Sequence, residues 1–204
     1  MNKDTAREDL AFMRALVQPD EHWQRNFGEI YAAAGGCYGG QMILHGLQTF
    51  NLILSEGLPA LLVGFGPTVV LLALVLWISR RHRGQTIGGI NSRTVRSVFS
   101  AIGIANFALI TMFASVAIRE HSITIWLLYA PVVLVTQGAA WLTAFMLRRK
   151  AWFCVVALGW FATGIGMAEA IPNLRWFILI GGVGFFAFML APGLVMMRQP
   201  GRAA

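Results

Sequence analysis

From Leu58 to Ile78 the chain runs for twenty-one residues without a charged side chain. A helix needs about 20 mostly apolar residues to cross the hydrocarbon core of a bilayer, so this stretch reads as a transmembrane helix. Further apolar runs of similar length flank it, separated by short charged stretches. Together they predict six spans, at 29–54, 59–78, 95–117, 123–147, 151–171 and 174–197. The expected fold is all-α: a polytopic bundle of six transmembrane helices over 29–198, preceded by a cytoplasmic segment, 1–28, and followed by a short tail, 199–204.

The basic residues orient this bundle. With the N-terminus in the cytoplasm, Lys3, Arg7, Arg14 and Arg25 precede the first span, and Arg80, Arg81, Arg83, Arg93 and Arg96 fill the second connection. Arg148, Arg149 and Lys150 occupy the fourth connection, and Arg198 and Arg202 the tail. Only Arg119 and Arg175, of sixteen Lys and Arg residues, then lie on the far side. Lys and Arg in short loops resist translocation, so both termini are expected in the cytoplasm. The net charge of +7 therefore reflects topology and attraction to anionic lipid headgroups. A nucleic-acid partner is not expected.

The first apolar run starts late, behind acidic and basic residues, so no cleavable signal peptide is expected. Cys37 and Cys154 fall in the inner halves of their spans and are expected as reduced thiols. Before the first span, Thr5-Ala6-Arg7-Glu8 has the form of a capping box. Ala6, Leu10, Met13 and Val17 then recur at helical spacing, which predicts an amphipathic helix ending at Pro19. It reads as an anchor, with docking of a cytoplasmic protein as the alternative.

The first span differs from the others. Gln41, His45 and Gln48 stand at i, i+4 and i+7, with Asn51 near the same stripe, so they project from one side of a helix. Lipid leaves such groups unsatisfied, and the stripe should face other helices or water. One reading is packing, with the amides bonded to Asn106, Thr111, Gln137 or Thr143 on neighbouring spans. The other is a substrate or proton path. His45 is the only histidine inside a span and titrates near neutral pH when unperturbed. Gly35, Gly36, Gly39 and Gly40 form two overlapping Gly-x-x-x-Gly pairs, suited to close helix packing or to a homo-oligomer through the first helix. At the outer rim lie Glu56, Glu120, His121, Glu169 and Arg175. Interfacial ion pairing, Glu169 with Arg175 across their turn, competes there with a substrate gate.

Several chemistries lack their residues. Neither lysine lies within a span, as a retinal Schiff base requires, and His45 has no second imidazole at its depth for a haem. No His-Glu-x-x-His pattern suggests a metal, and neither Gly64-Phe65-Gly66 nor Gly164-Ile165-Gly166 holds a serine nucleophile. No cofactor or metal is expected, and enzymatic activity is the minority reading. The leading expectation is a small permease or channel-like transporter with its path along Gln41, His45, Gln48 and Asn51. A non-transporting sensor or scaffold docking a cytoplasmic regulator comes second, and a membrane enzyme acting on a lipid or quinone third.

The stretch Arg7-Glu8-Asp9-Leu10-Ala11-Phe12-Met13-Arg14-Ala15-Leu16-Val17 resembles the opening of uncharacterised multi-pass inner-membrane proteins of proteobacteria. The resemblance implies a bacterial inner-membrane location and assigns no activity to any residue.

Overall fold

The structure, a computed structural model, describes residues 21–82 and 90–198. The amphipathic segment expected before Pro19, the Gly-rich part of the second connection and the tail from 199 lie outside the described residues. Six helical rods follow one another: α1 (Glu21–Thr49), α2 (Gly57–Arg81), α3 (Ile90–Arg119), α4 (Ile123–Arg148), α5 (Ala151–Glu169) and α6 (Leu174–Arg198). There is no strand among the described residues. Five of these helices, α2 to α6, are long and apolar enough to cross a membrane. The chain is an all-α, polytopic membrane bundle.

The ends of the helices follow from local chemistry. Ser122 precedes α4, and its hydroxyl accepts the backbone N–H of Ile125 at 3.5 Å, capping a free donor of the first turn. Arg149 closes the same helix in a left-handed conformation (φ 54°), donating its N–H to the carbonyl of Phe145. α1 departs from the expected span 29–54. It begins at Glu21 and stops at Thr49, because the chain turns there and Asn51 takes φ 56°. Asparagine tolerates this left-handed region better than most residues. Asn51 therefore leaves the helical stripe of Gln41, His45 and Gln48 and sits exposed in the turn. The second connection is also shorter than Ser79 to Thr94 suggests, since α2 continues through Arg81 and α3 starts at Ile90.

α1 does not meet the apolarity that α2 to α6 meet, although it spans 29 residues. Gln41, His45, Gln48 and six glycines dilute it. It is held by packing instead, between α2 on one side and α6 on the other. From α6 the layer continues through α5 and α4 to α3. The basic residues collect at one end of this bundle: Arg25 on α1, Arg80 and Arg81 on α2, Arg93 on α3, Arg148 on α4 and Arg198 on α6. The turns after α1, α3 and α5 form the opposite end.

α6 changes pitch midway. Phe186–Leu190 form a π-helical turn within it. This turn lies against the glycines of α1: a Cβ added at Gly35 would overlap the backbone nitrogen of Leu190, and one at Gly39 would stand 2.8 Å from the Phe186 ring. Gly36 and Gly40 face away, with no atom within 4 Å of such a Cβ. Of the four glycines expected to pack helices, Gly35 and Gly39 do so within the chain and Gly36 and Gly40 do not. The two sets lie on different faces because neighbouring residues are rotated by about 100° on a helix.

Candidate functional site

Burial in α1 and α4 is concentrated toward the basic end of the bundle. Among the described side chains, the buried residues of α1 run from Gly28 to Gly39, those of α4 from Pro131 to Ala144, and α3 has Val95 alone. Past these points toward the opposite end, α1, α3 and α4 have no fully buried residue, and α2 contributes Val63 alone. α5 and α6 stay packed at all depths, through Met167, Phe177 and Ile178.

An aromatic seal closes the basic half. Tyr31 is buried, and its oxygen accepts the indole N–H groups of Trp141 at 2.6 Å and Trp160 at 2.9 Å. Both indoles are almost wholly enclosed, at 1% and 0% exposure. Phe27 stacks on Tyr31 at 5.4 Å between ring centroids, and Phe99 packs on Phe27 at 4.6 Å and on Trp141 at 5.5 Å. Four helices thus meet around one phenol. Sequence reasoning passed over Tyr31, because 110 and 129 residues separate it from its two donors. The available signal was the polar tip of a tyrosine inside a span, which needs a partner when buried.

Below the seal, toward the basic surface, Glu29 accepts from Arg25 at 3.3 Å and pairs with Nε2 of His82 at 3.1 Å. Both Glu29 and His82 side chains are only about one-eighth exposed, at 12% and 13%. The pair ties the start of α1 to the end of α2. Sequence reasoning missed it too, although the i, i+4 spacing of Arg25 and Glu29 was legible.

The polar stripe lies in the less buried half of α1. Gln41 donates to the carbonyl of Gly64 on α2 at 2.9 Å. Pro67 lacks an N–H and removes the helical partner of the Val63 carbonyl, one residue from the carbonyl that Gln41 meets. The expected partners behave otherwise: Asn106 accepts from the Tyr129 hydroxyl at 2.9 Å, and Thr111 and Thr143 bond carbonyls of their own helices. Gln137 retains a buried Oε1 without a hydrogen-bond partner. Helix-to-helix side-chain bonds in membranes contribute about 0.6 kcal/mol on average. Gln41→Leu is accordingly expected to lower thermal stability in detergent only slightly, and loss of folded protein would show that α2 depends on this bond.

His45 and Gln48 form a short relay. Nδ1 of His45 lies 3.0 Å from Oε1 of Gln48, and Nε2 of Gln48 donates to the carbonyl of Leu54 at 3.2 Å. In the neutral imidazole, an acceptor oxygen opposite Nδ1 favours the proton there and leaves the acceptor role to Nε2. That nitrogen has no hydrogen-bond partner among the described residues.

The rim residues are exposed and spread over three turns. Glu56 precedes α2, where a carboxylate suits the positive end of the helix. Glu120 pairs with Arg119 at 3.0 Å, and His121 turns the chain with φ 48°. Glu169 and Arg175 do not form the expected ion pair. The Arg175 guanidinium instead lies over the Phe50 ring, 5.1 Å from its centroid, where its charge meets the ring's negative face. The described residues hold no cluster of three metal-binding side chains. Cys37 and Cys154 are free thiols. No protein-family model, curated protein or solved structure matches the chain.

Proposed function

We propose that the protein is a small permease of a bacterial inner membrane, with its basic end in the cytoplasm and a vestibule open to the other side. The observation that carries this reading is the polar stripe of Gln41, His45 and Gln48 in the less buried half of α1, beyond the buried cluster of Tyr31, Trp141 and Trp160. Their hydrogen bonds run to Gly64, to one another and to Leu54, which leaves Nε2 of His45 as the stripe's nitrogen for a water or a ligand to serve. A vestibule ending on a seal is one half of an alternating-access path, and rearrangement of the aromatic cluster would open the other half. His45, with a free acceptor nitrogen, is the group placed to take up a proton.

Two measurements test this. In a chain lacking Cys37 and Cys154, cysteines at positions 41, 45 and 48 are expected to react with a membrane-impermeant maleimide from the extracytoplasmic side only. Protection of all three, or reaction from the cytoplasmic side, would remove the vestibule. In proteoliposomes holding a pH-sensitive dye, His45→Ala is expected to slow proton uptake. Wild-type rates at every pH would exclude His45 from the path.

A further inference from the structure

α2 joins the bundle almost wholly through α1, the one helix with which it makes extensive contact. Its buried residues, Val63 and Ile78, lie outside the central cluster of buried side chains. Half-buried Leu71 alone reaches that cluster from α2. α1 is fixed more firmly elsewhere, to the α6 backbone at Gly35 and to α4 and α5 through the Tyr31 oxygen. α2 can therefore shift while the seal and the α1–α6 contact stay in place.

The polar ties between α1 and α2 are unevenly spaced. In the half of α2 away from the basic end, Gln41 donates to the Gly64 carbonyl at 2.9 Å, and the side chains of Tyr38 and Thr68 share a hydrogen bond. Among the described residues the next tie is at His82, about 21 Å further along the helix. Pro67 stands between the first two ties. It leaves the Val63 carbonyl without its helical donor, and prolines are where helices bend sharply. One half of α2 is thus pinned on both sides of this proline, and the other is pinned at its far end.

The far tie is a charged one. Facing a carboxylate, Nε2 of His82 donates to Oε2 of Glu29 at 3.1 Å, and both side chains are mostly enclosed. From residue 22 to residue 119 the only other carboxylate is Glu56, at the opposite end. Parting an enclosed pair ordinarily strands a charge, which holds such pairs firmly. Glu29 is not stranded. Its Oε1 keeps the exposed Arg25 at 3.3 Å, and His82 caps the end of α2 at the basic surface, where water replaces the lost contact.

We infer that the basic-end half of α2 is the moving element of the bundle, swinging about Pro67, and that the Glu29–His82 bond latches its end against α1. As the inner gate of an alternating-access cycle, this latch rests on the permease proposed above.

The test places spin labels on the full chain in nanodiscs, with Cys37 and Cys154 replaced. Labels at exposed positions 76 on α2 and 155 on α5 read the basic end of α2 against the body of the bundle. Labels at 146 on α4 and 195 on α6 read the body itself. His82→Phe keeps a ring and removes the donor. It is expected to raise the ratio of long to short 76–155 distances about ten-fold, the equivalent of one hydrogen bond to a charged group, and to leave 146–195 unchanged. Glu29→Ala should act alike, and Glu29→Gln, which keeps an acceptor oxygen, should act less. Pro67→Ala added to His82→Phe should shrink the long population, because a continuous helix resists the bend. An unchanged 76–155 distribution in both His82→Phe and Glu29→Ala would overturn the latch. So would equal lengthening of 146–195, since the pair would then be a general brace of the fold. The distances are read without transport. Wild-type proton uptake by His45→Ala would remove the permease and leave the latch, and unchanged distances beside maleimide-reactive positions 41, 45 and 48 would do the reverse.

Discussion

Gly35→Ala is expected to destabilise the bundle by about 3 kcal/mol, while Gly36→Ala changes it by less than about 0.5 kcal/mol. The substitutions are chemically identical and one residue apart, so helix propensity contributes equally to both. What differs is the neighbour. The Cβ at position 35 would overlap the Leu190 nitrogen and stand 2.8 Å from its Cα and 2.9 Å from the Met189 carbonyl carbon. These are backbone atoms of the π turn, and no side-chain rotation relieves the clash. The turn has little room to retreat, because the Phe186 ring already rests on Gly39 and the Phe188 ring on Gly159 of α5. α1 and α6 must separate, and the contact that holds the least apolar helix in the membrane weakens with them. At Gly36 nothing lies within 4 Å, and a methyl group adds only surface facing lipid. Reversible unfolding of both variants in mixed micelles measures the difference. Equal stability of the two would mean that α1 is not held by this contact. Oligomeric state is the companion readout: dissociation of an oligomer by Gly36→Ala would place a second copy on the face that is open here.

The limits of the sequence show in the same pair. Periodicity finds glycines spaced for close packing, but Gly35 with Gly39 and Gly36 with Gly40 satisfy the rule equally. Only the position of α6 distinguishes them. The membrane-spanning character of α2 to α6 was legible because it depends on composition within one segment, as in the uncharged run from Leu58 to Ile78. The end of α1 was not, since Phe50, Leu52, Ile53 and Leu54 remain apolar past the point where Asn51 turns the chain. The stripe of Gln41, His45 and Gln48 was legible as a face. The partner of Gln41 was not, because a main-chain carbonyl on another helix carries no mark in the sequence. Arg175 shows the same gap: the nearby Glu169 suggested an ion pair, whereas the fold brings the guanidinium to Phe50, across 125 positions of chain. Local patterns thus gave the helices and their faces, and contacts between distant segments decided which groups meet.

Tyr31→Phe is expected to cost about 2–4 kcal/mol, because it leaves two buried indole N–H groups without an acceptor at about 1–3 kcal/mol each. The ring itself remains, so the stacking on Phe27 and the edge contacts with Phe99 and Trp141 persist. Ordinary removal of a hydroxyl from a membrane helix costs far less, since hydrogen bonds there average about 0.6 kcal/mol. The seal is different in that no water reaches it: Trp141 and Trp160 are enclosed by α4 and α5, and neither indole has another acceptor at hand. A double-mutant cycle isolates this effect from packing. Trp141→Phe alone loses a large ring and should be strongly destabilising. Trp141→Phe combined with Tyr31→Phe should cost less than the sum of the two, by about 1–3 kcal/mol, because the second change no longer strands the Trp141 donor. Additive costs would show that the phenol oxygen does not serve the Trp141 indole. If the proposed vestibule exists, a stability loss should be accompanied by loss of its barrier, since the same two bonds draw α1, α4 and α5 together. Maleimide added from the cytoplasmic side is then expected to reach a cysteine at position 38 in Tyr31→Phe and not in the parent. Continued protection of that cysteine, with the stability loss present, would mean that the aromatic rings seal the bundle without the help of the hydroxyl.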